Sequence, residues 1–457
     1  MDACGAWADA RDATAPCNAK ATMRGEDAGM ADFDAVVVGA GCAGSVAACV
    51  LAREGKSVLM IERGSDAGAK NMTGGRLYAH ALRTVFPDFE SEAPLERKIV
   101  RERVSLMTED ENTTVEFASP RLGADELVSY SVLRGPFDRW LASKAEGAGA
   151  ECIYGIAVDD LVWEGERIVG VRAGDDELTA DVTILADGAN SLLSEKARLA
   201  KRPSPHQLAV SAKEVVELPE QTVTDRFQAN PGEGAAWLFA GAATHGHVGG
   251  GFLYTNRASV SIGVVATLSD LCTSSTPVYQ MLEDFKNHPA VAPVLAGGRT
   301  VEYSGHLIPE GGFNMVPELY RDGCLLTGDA AMLCINLGYQ VRGMDYAIAA
   351  GRMAAEAALE ALDAGDVSAA RLAAYRAKLE DSFVLKDLAA YRGFPAFMEG
   401  TPRIFDGYPQ MAADIMRGLF AVDGSPVQPL KGKVMGPVKG VGVLNLLKDV
   451  RKGMRVL

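Results

Sequence analysis

The sequence has no Cys-x-x-Cys spacing, no long apolar run and no excess of basic residues. Its 8 cysteines are dispersed, so neighbouring thiols cannot assemble an iron–sulfur cluster or a zinc knuckle. No stretch approaches the ~18 consecutive apolar residues of a membrane-spanning helix. Lys and Arg number 45 against 60 Asp and Glu, a net charge of −15, which disfavours nucleic acid as a partner. The composition therefore argues against a nucleic-acid-binding protein and against an integral membrane protein.

What is present is the composition of an ordinary globular protein, with 48% hydrophobic and 23% charged residues over 457 positions. At ~150 residues per domain, this length predicts two or three domains. Scattered cysteines are typical of reduced thiols, so we expect a cytoplasmic protein. Residues 1–29 lack the patterns of signal and transit peptides and are predicted to be a disordered leader, with Met30 as an alternative start.

A glycine motif follows the first strand-like run, Phe33–Val38. Gly39 allows a tight turn, Gly41 lets the backbone approach a pyrophosphate, and Gly44 lets a helix pack closely on the strand. The pyrophosphate would lie on the helix N-terminus. A second apolar run ends at Glu62, which is placed to accept hydrogen bonds from a ribose and would repel a 2′-phosphate. The motif predicts a βαβ dinucleotide-binding unit, the alternative being a fortuitous glycine turn.

The rest of the chain divides by its pattern of strands and helices. Residues 167–172 and 178–185 read as a β-hairpin, and short alternating strands with glycine clusters fill the region from 206 to 299. A buried strand returns near 323, and residues 344–362 have the alanine-rich pattern of a packed helix. We therefore predict three parts. Residues 30–205 and 300–390 form a discontinuous dinucleotide-binding domain, residues 206–299 form an inserted antiparallel sheet, and residues 391–457 form a C-terminal helical, basic segment.

Three separated motifs occur in the order typical of one flavoprotein superfamily. Gly39, Gly41 and Gly44 with Glu62, then Ala186-Asp187-Gly188, then Gly328-Asp329, resemble the superfamily of aromatic hydroxylases and geranylgeranyl reductases. The resemblance implies FAD and a Rossmann-like α/β fold with an inserted antiparallel sheet domain. It also implies that Glu62 holds the adenosine ribose, that Asp329 binds the ribityl chain and that Arg134, in the segment 133–138, lies near the cofactor. Arg63 and Asp187 are further candidate cofactor-binding residues.

A narrower resemblance covers the chain from about residue 33 onward. Residues 70–78, 336–345 and 444–449 look like the FixC branch of the electron-transfer flavoprotein–quinone oxidoreductase family. The resemblance implies an FAD enzyme that accepts electrons from a heterodimeric electron-transfer flavoprotein and passes them toward quinone or a ferredoxin-like carrier. Single-chain members carry a four-cysteine cluster that is missing from this sequence, which implies a separate small ferredoxin-like iron–sulfur protein as partner.

Two glycine-containing segments are candidates for the flavin contact. In residues 328–345, Gly338 and Gly343 let the backbone come close to a flat ring, and a helix N-terminus could stabilise negative charge on the reduced flavin. Arg342 beside Asp345 forms either a local ion pair or a direct flavin contact. Residues 70–78 form either an ordinary surface loop or a loop over the flavin, to which Arg76 supplies a cation. No side chain need act as an acid or base, and we predict no metal site.

Two further questions stay open at this point. One alternative function is a self-contained NAD(P)H-dependent flavin reductase or monooxygenase that acts on a small apolar molecule between the two domains. The tail from Lys431 onward carries seven bases and one acid. It is either a solvated helix or a surface that docks on a partner subunit or on anionic membrane, which would make the protein peripheral.

Overall fold

The structure is a computed structural model that describes residues 31–69 and 74–456. The predicted disordered leader therefore lies outside the described residues, as do the first four positions of the segment 70–78. The described residues form two large sheets and one two-stranded sheet, with helices packed on the large sheets.

Strands and helices alternate through the first part of the chain, and helices dominate its end. In chain order the strands are β1 (Phe33–Val38), β2 (Val58–Glu62), β3 (Gly74–Tyr78), β4 (Leu95–Met107), β5 (Asn112–Ala118), β6 (Ser129–Leu133), β7 (Glu151–Tyr154), β8 (Asp160–Glu164), β9 (Arg167–Ala173), β10 (Asp176–Leu185), β11 (Leu208–Glu217), β12 (Glu233–Gly241), β13 (Gly249–Thr255), β14 (Ser259–Thr267), β15 (Arg299–Pro309), β16 (Tyr320–Arg321), β17 (Cys324–Leu326), β18 (Ile335–Asn336) and β19 (Val341–Arg342). The helices are α1 (Cys42–Arg53), α2 (Ala79–Arg83), α3 (Arg134–Gly147), α4 (Leu192–Lys196), α5 (Glu220–Phe227), α6 (Leu268–Leu271), α7 (Val278–Asn287), α8 (Ala292–Leu295), α9 (Met344–Asp363), α10 (Ala369–Leu372), α11 (Ala374–Asp381), α12 (Phe383–Ala390), α13 (Phe394–Glu399), α14 (Gly407–Phe420), α15 (Leu430–Val441) and α16 (Val443–Gly453).

The first sheet has the Rossmann-like arrangement that the glycine motif predicts. Its strand order is β16-β17-β10-β1-β2-β7, with parallel pairing from β17 through β7. The strands are short β-branched and aliphatic runs that helices bury, as parallel sheets require. Helix α1 packs between α9 and α3. The predicted hairpin is confirmed as β9 with β10, and the predicted alanine-rich helix is α9.

Because β1, β2, β10 and β17 run in parallel, their carboxyl ends meet at one edge of the first sheet. The glycine turn follows β1, the Asp187 turn follows β10, and the Gly328 turn follows β17. Open parallel sheets bind ligands at this edge. The topology therefore brings three motifs that are up to about 290 positions apart in the sequence to a single place.

The second sheet is wider than the predicted region 206–299. Its order is β15-β11-β14-β13-β12-β4-β6-β3, with β5 paired to β4. Strands β3 to β6 come from the chain before the hairpin, and β12 pairs with β4 in parallel, so the antiparallel strands predicted over 206–299 are part of a larger, mixed sheet. The reason is that strand pairing here joins distant segments, which local alternation of residues cannot reveal.

One face of the second sheet is covered by helix α7. Met281 and Phe285 of α7 lie in one buried cluster with Ala212 and Val216 of β11, and Lys286 forms an ion pair with Glu214. Since side chains alternate along a strand, the odd-numbered residues of β11 point to the opposite face. That face is turned toward the ligand-binding edge of the first sheet.

A buried arginine ties the two parts of the second sheet together. Arg97 of β4 is 1% exposed and burial lowers its pKa. Its guanidinium donates hydrogen bonds to the backbone carbonyls of Glu220, Glu233, Asn256 and Arg257 and to the Thr224 hydroxyl, at 2.7–3.1 Å. The side chain therefore satisfies carbonyl groups at the ends of several elements that would otherwise be buried without donors.

We expect Arg97→Met to lower the free energy of unfolding by about 3 kcal/mol or more, because it leaves several buried acceptors unpaired. Urea denaturation followed by circular dichroism measures the change. Arg202→Met, the same substitution at an exposed arginine, is the control and should stay within about 0.5 kcal/mol of the parent. Equal effects of the two substitutions would contradict this role of Arg97.

Candidate functional site

The glycine turn after β1 has the geometry that dinucleotide binding requires. Gly39 has φ +102°, and a Cβ there would strike the backbone of Ala186. A Cβ at Gly44 would collide with the carbonyl oxygen of Gly39, so α1 lies as close to the turn as two backbones allow. A Cβ at Gly41 would meet no protein atom within 4 Å. Glycine is thus required at Gly39 and Gly44 because a side chain there would clash with the protein backbone, whereas Gly41 faces open space.

The open space over Gly41 is where an anion would be held. Gly41 is the N-cap residue of α1 and makes no side-chain cap, and the first turn of this helix holds no acidic residue. The first amides of a helix lack intrahelical partners and carry the positive end of its dipole. A pyrophosphate over Gly41 would satisfy both, as the sequence predicts.

Glu62 fixes the turn from the end of β2. Its Oε2 accepts a hydrogen bond from the Ala40 amide at 2.9 Å, and its Oε1 accepts one from the Gly64 amide at 2.7 Å. Each carboxylate oxygen retains a second lone pair for a further donor. Binding of an adenosine ribose by Glu62 stays a prediction, and the structure adds that this residue also organises the glycine loop.

Asp187 lies at the end of β10 beside the glycine turn. Burial raises its pKa to about 6, although a hydrogen bond from Ser191 and the charge of Arg63 act in the opposite direction. Its Oδ1 atom is buried and has no hydrogen-bond partner among the described residues. An unsatisfied buried acceptor is costly. A donor from a bound ligand would remove that cost.

The Gly328 turn places Asp329 at the same edge. Gly328 has φ +67°, and burial raises the pKa of Asp329 against the opposing charges of Arg134 and Lys213. Arg134 is itself held by Asp138, with 2.8 Å from Nε to Oδ1 and from Nη2 to Oδ2. Burial acts to lower the pKa of Arg134, but the Asp138 carboxylate outweighs it and raises that pKa.

The segment before α9 forms a small hairpin of β18 and β19. Gly338 in its turn has φ +75°, and Gly343 is the N-cap residue of α9. The Arg342 guanidinium donates to Asp345 Oδ2 at 2.8 and 2.6 Å and to Asp387 Oδ2 at 2.7 Å. The ion-pair alternative for Arg342 is therefore observed, and a direct contact between Arg342 and a flavin stays a prediction.

The segment that contains Arg76 is a strand where it is described, and the loop expected over 70–78 is wrong for Gly74–Tyr78. This strand, β3, pairs with β6. Arg76 is paired with Glu102, with one contact at 3.0 Å, and donates to Ser129 Oγ at 3.0–3.1 Å. The residues of β6 that pair with residues 74–78 lie 51 to 59 positions downstream, so local patterns could not reveal this strand.

The cysteines at the site are packed as small buried groups. Burial raises the pKa of Cys42 to about 12, and its Sγ donates a weak hydrogen bond to Asp138 at 3.7 Å. Cys334 donates from Sγ to the Pro309 carbonyl at 3.2 Å, and burial raises its pKa as well. Both thiols are protonated at neutral pH, and among the described residues no group of three or more His, Cys, Asp or Glu is arranged to hold a metal ion.

Lys213 and His306 belong to the site but escaped the sequence reasoning. Lys213 lies on β11 and interacts electrostatically with Arg134 and Asp329 across the gap between the two sheets. His306 lies on β15 and interacts with Lys213, Arg134 and Arg63. The available signal was Lys213 next to Glu214 within a largely apolar strand, but alternation alone does not tell which face of the strand meets the other sheet.

These residues fit FAD. The helix N-terminus at Gly41 can bind the pyrophosphate, and Glu62 lies where a ribose would bind. Asp187 Oδ1 lacks a hydrogen-bond donor that a ligand could supply. The second sheet closes the same edge with Lys213, so an elongated dinucleotide would lie between the two sheets. When bound, FAD supplies a centre that accepts electrons singly or in pairs.

Three family models match the chain. They are described as FAD dependent oxidoreductase over residues 34–194, as ETF-QO, ubiquinone-binding over residues 209–308, and as ETF-QO/FixC family C-terminal domain over residues 394–457. The second match spans β11 to β14 and nearly all of β15, the strands of the second sheet that include Lys213 and His306.

Curated relatives match over nearly their full length. The chain is 51% identical to the probable electron transfer flavoprotein-quinone oxidoreductase YdiS of Escherichia coli, over 93% of this chain and 99% of that protein. It is 52% identical to the protein FixC of Escherichia coli with the same two coverages, 93% and 99%.

Solved structures share the fold at low identity. A geranylgeranyl bacteriochlorophyll reductase-like protein from Thermoplasma acidophilum has a TM-score of 0.66 at 19% identity, covering 90% of this chain and 99% of that one. The myxobacterial FAD-dependent halogenase CndH has a TM-score of 0.60 at 19% identity, covering 91% and 97%. These similarities confirm the Rossmann-like fold class.

We expect Gly41→Ala to weaken FAD binding by about tenfold or more, which corresponds to ~1.4 kcal/mol. The added methyl group meets no protein atom within 4 Å, so the apoprotein should keep its thermal stability while the methyl occupies space needed by the pyrophosphate. Titration of apoprotein with FAD, followed by flavin fluorescence, measures the affinity. Gly147→Ala, whose added methyl also meets nothing within 4 Å, is the control. Unchanged affinity in the Gly41 variant would rule out this path for the cofactor.

Proposed function

Given that the chain belongs to the electron transfer flavoprotein–quinone oxidoreductase/FixC family, we propose that it accepts electrons from an electron-transfer flavoprotein on FAD and passes them to a quinone. The enzyme is an FAD-dependent oxidoreductase. Its relatives at 51–52% identity are named for this electron transfer or as FixC, and the chain covers 99% of each.

One observation carries the proposal of a quinone acceptor. The strands matched by the ubiquinone-binding family model belong to the second sheet, and α7 covers only one of its faces. The other face is turned toward Asp329 and Arg134 at the ligand-binding edge of the first sheet. A quinone ring held on that face would lie next to the flavin, which is what direct electron transfer needs.

The chain's own residues bind and orient the cofactor in this scheme. Glu62 holds the glycine turn in shape, Asp138 holds Arg134, and Asp345 and Asp387 hold Arg342 at the entrance to α9. No protein side chain is needed as a nucleophile, because the redox chemistry resides in the cofactor. These ordered ion pairs would set the electrostatic surroundings of the bound cofactor.

The second candidate is a self-contained NAD(P)H-dependent reductase or monooxygenase. The fold it shares with an FAD-dependent halogenase supports it only at the level of fold. Against it, the glycine turn after β1 is the one nucleotide-binding βαβ turn we find among residues 31–69 and 74–456, and FAD occupies that turn in our proposal. Reduction by free nicotinamide cofactor separates the two candidates.

We expect NADH to bleach the flavin absorbance of the holoprotein only when a catalytic amount of electron-transfer flavoprotein and its own reducing system are present. An anaerobic titration followed near 450 nm, about where oxidised flavins absorb, makes the measurement. Rapid bleaching by NADH or NADPH alone would overturn the relay and favour the self-contained reductase. Reoxidation by a short-chain ubiquinone under the same conditions tests the acceptor.

A further part of the proposal is a small ferredoxin-like iron–sulfur protein as an additional electron acceptor. The resemblance to FixC supports it, together with the dispersed cysteines of the sequence. Reconstitution with a purified ferredoxin-like protein encoded beside such a flavoprotein would show whether electrons leave the flavin by this route.

We also propose that the C-terminal helices dock on a membrane surface. The C-terminal apolar surface consists of exposed large apolar side chains on or between α14, α15 and α16: Phe420, Val422, Val427, Leu430, Leu444 and Leu447. Two of the same helices, α15 and α16, also carry basic residues: Lys431, Lys433, Lys439, Lys448, Arg451 and Lys452. Apolar insertion combined with attraction to anionic headgroups is how amphipathic helices bind bilayers. No helix in the described part of the chain is long and apolar enough to cross one.

We expect the double substitution Phe420→Ser with Leu444→Ser to reduce binding to vesicles of phosphatidylglycerol and phosphatidylcholine by about tenfold or more. Both side chains are about 80% exposed, and large apolar groups contribute about 1.5–3 kcal/mol each on burial. Vesicle co-sedimentation measures the effect. Tyr279→Ser is the control, because Tyr279 is an exposed aromatic residue of α7, away from this surface. Equal binding of the double variant and the parent would contradict docking through this surface.

A further inference from the structure

Strand β11 presents two charged side chains to opposite faces of the second sheet. Glu214 faces α7 and forms an ion pair with Lys286 at 2.9 Å. Lys213 faces the other way. In the antiparallel ladder it stands opposite Ser304 of β15 and Gly263 of β14. Because Gly263 has no side chain, the ring of Phe252 lies across that position next to the Lys213 stem.

The surroundings of Lys213 leave its charge without a direct partner. The charged and titratable groups that face it are Arg134 and Asp138 of α3, Asp329 of the Gly328 turn and His306 of β15. Asp138 is already bound by Arg134. Among the described residues the Lys213 ammonium makes no hydrogen bond and no ion pair, although the side chain is half-buried. Removing a cation from water without giving it a partner is costly.

His306 does not share this positive charge. Burial, together with Lys213, Arg134 and Arg63, lowers its pKa to about 4, so the imidazole is neutral at pH 7. Burial also lowers the pKa of Lys213, to about 8, with Arg134 acting in the same direction and Asp138 and Asp329 against it. Lys213 therefore remains mostly protonated at pH 7, and it is the cation that β11 and β15 direct at the cofactor edge.

We propose that Lys213 is the residue of the second sheet that faces the bound flavin and stabilises the negative charge that the ring acquires on reduction. Two electrons and one proton convert oxidised flavin to a reduced form with one additional negative charge. The ammonium group lies across the gap from Asp329, at the edge where the cofactor binds. It becomes paired when the flavin is reduced, so it favours the reduced form. The inference rests on FAD binding and not on the identity of the electron donor or acceptor.

A charge at this position has a large effect because the site is partly buried. Unit charges a few ångströms apart in a partly buried site interact by more than the ~1.4 kcal/mol that a tenfold ratio represents. Removal of the ammonium should therefore change the redox equilibrium measurably. An arginine at the same position retains the charge at all pH values, whereas a lysine loses its charge when the solution becomes alkaline.

The test is a redox titration of the purified holoprotein with dithionite and a reference dye, which follows the ratio of reduced to oxidised flavin. At pH 7 we expect Lys213→Met to lower this ratio by about tenfold or more at a fixed ambient potential, and Lys213→Arg to keep it within about threefold. At alkaline pH the parent should approach the Met variant while the Arg variant keeps its higher ratio. Met matches the lysine stem in length, and flavin content reports on folding.

Lys98→Met is the matched control, because Lys98 is an exposed lysine of the same sheet and should leave the ratio unchanged. Equal redox ratios in the parent and the Met variant would overturn the proposal. So would a loss of FAD affinity with an unchanged redox ratio, since Lys213 would then contact the phosphates. The titration uses a chemical reductant, so its result tests the role of Lys213 even if the protein receives no electrons from an electron-transfer flavoprotein.

Discussion

The cofactor site depends on the contact between the backbones of Gly39 and Gly44. Only hydrogen atoms fit between α1 and the turn that follows β1, and this closeness aims the first turn of α1 at the open space over Gly41. Glu62 then locks the turn from the neighbouring strand. Without this contact the N-terminus of α1 would not face the open space over Gly41. The turns after β10 and β17 would then not share a ligand with the glycine turn.

The charges of the site follow two different patterns. Arg134 and Arg342 are each held by carboxylates, Asp138 for the first and Asp345 with Asp387 for the second. These pairs fix geometry and contribute little net charge. Asp187 Oδ1 instead has no hydrogen-bond partner among the described residues, and Lys213 interacts with its charged neighbours only through electrostatics. The paired groups form the frame of the site, and the unpaired ones are those that a ligand can engage.

The sequence was sufficient for those parts of the site that arise locally. The glycine turn, Glu62, the β9–β10 hairpin and α9 each lie within a stretch of about 30 residues or fewer, and their spacing alone specifies the geometry. The strand character of residues 74–78, the parallel pairing of β4 with β12, and the role of Arg97 depend on partners far away in the chain. For Lys213 the residue type was visible, but its orientation depends on α7 covering the opposite face of β11.

The parallel pairing of β12 with β4 has a consequence for how such a protein can change over evolution. The second sheet is assembled from two stretches of chain, one on each side of the hairpin and the Asp187 turn that belong to the first sheet. No single cut in the gene could release it as a transferable module, and a recombination event that imported only residues after 205 would leave β12 without its neighbour. The second sheet of this protein can therefore be altered by substitution within it, but an exchange confined to residues after 205 would not transfer it whole.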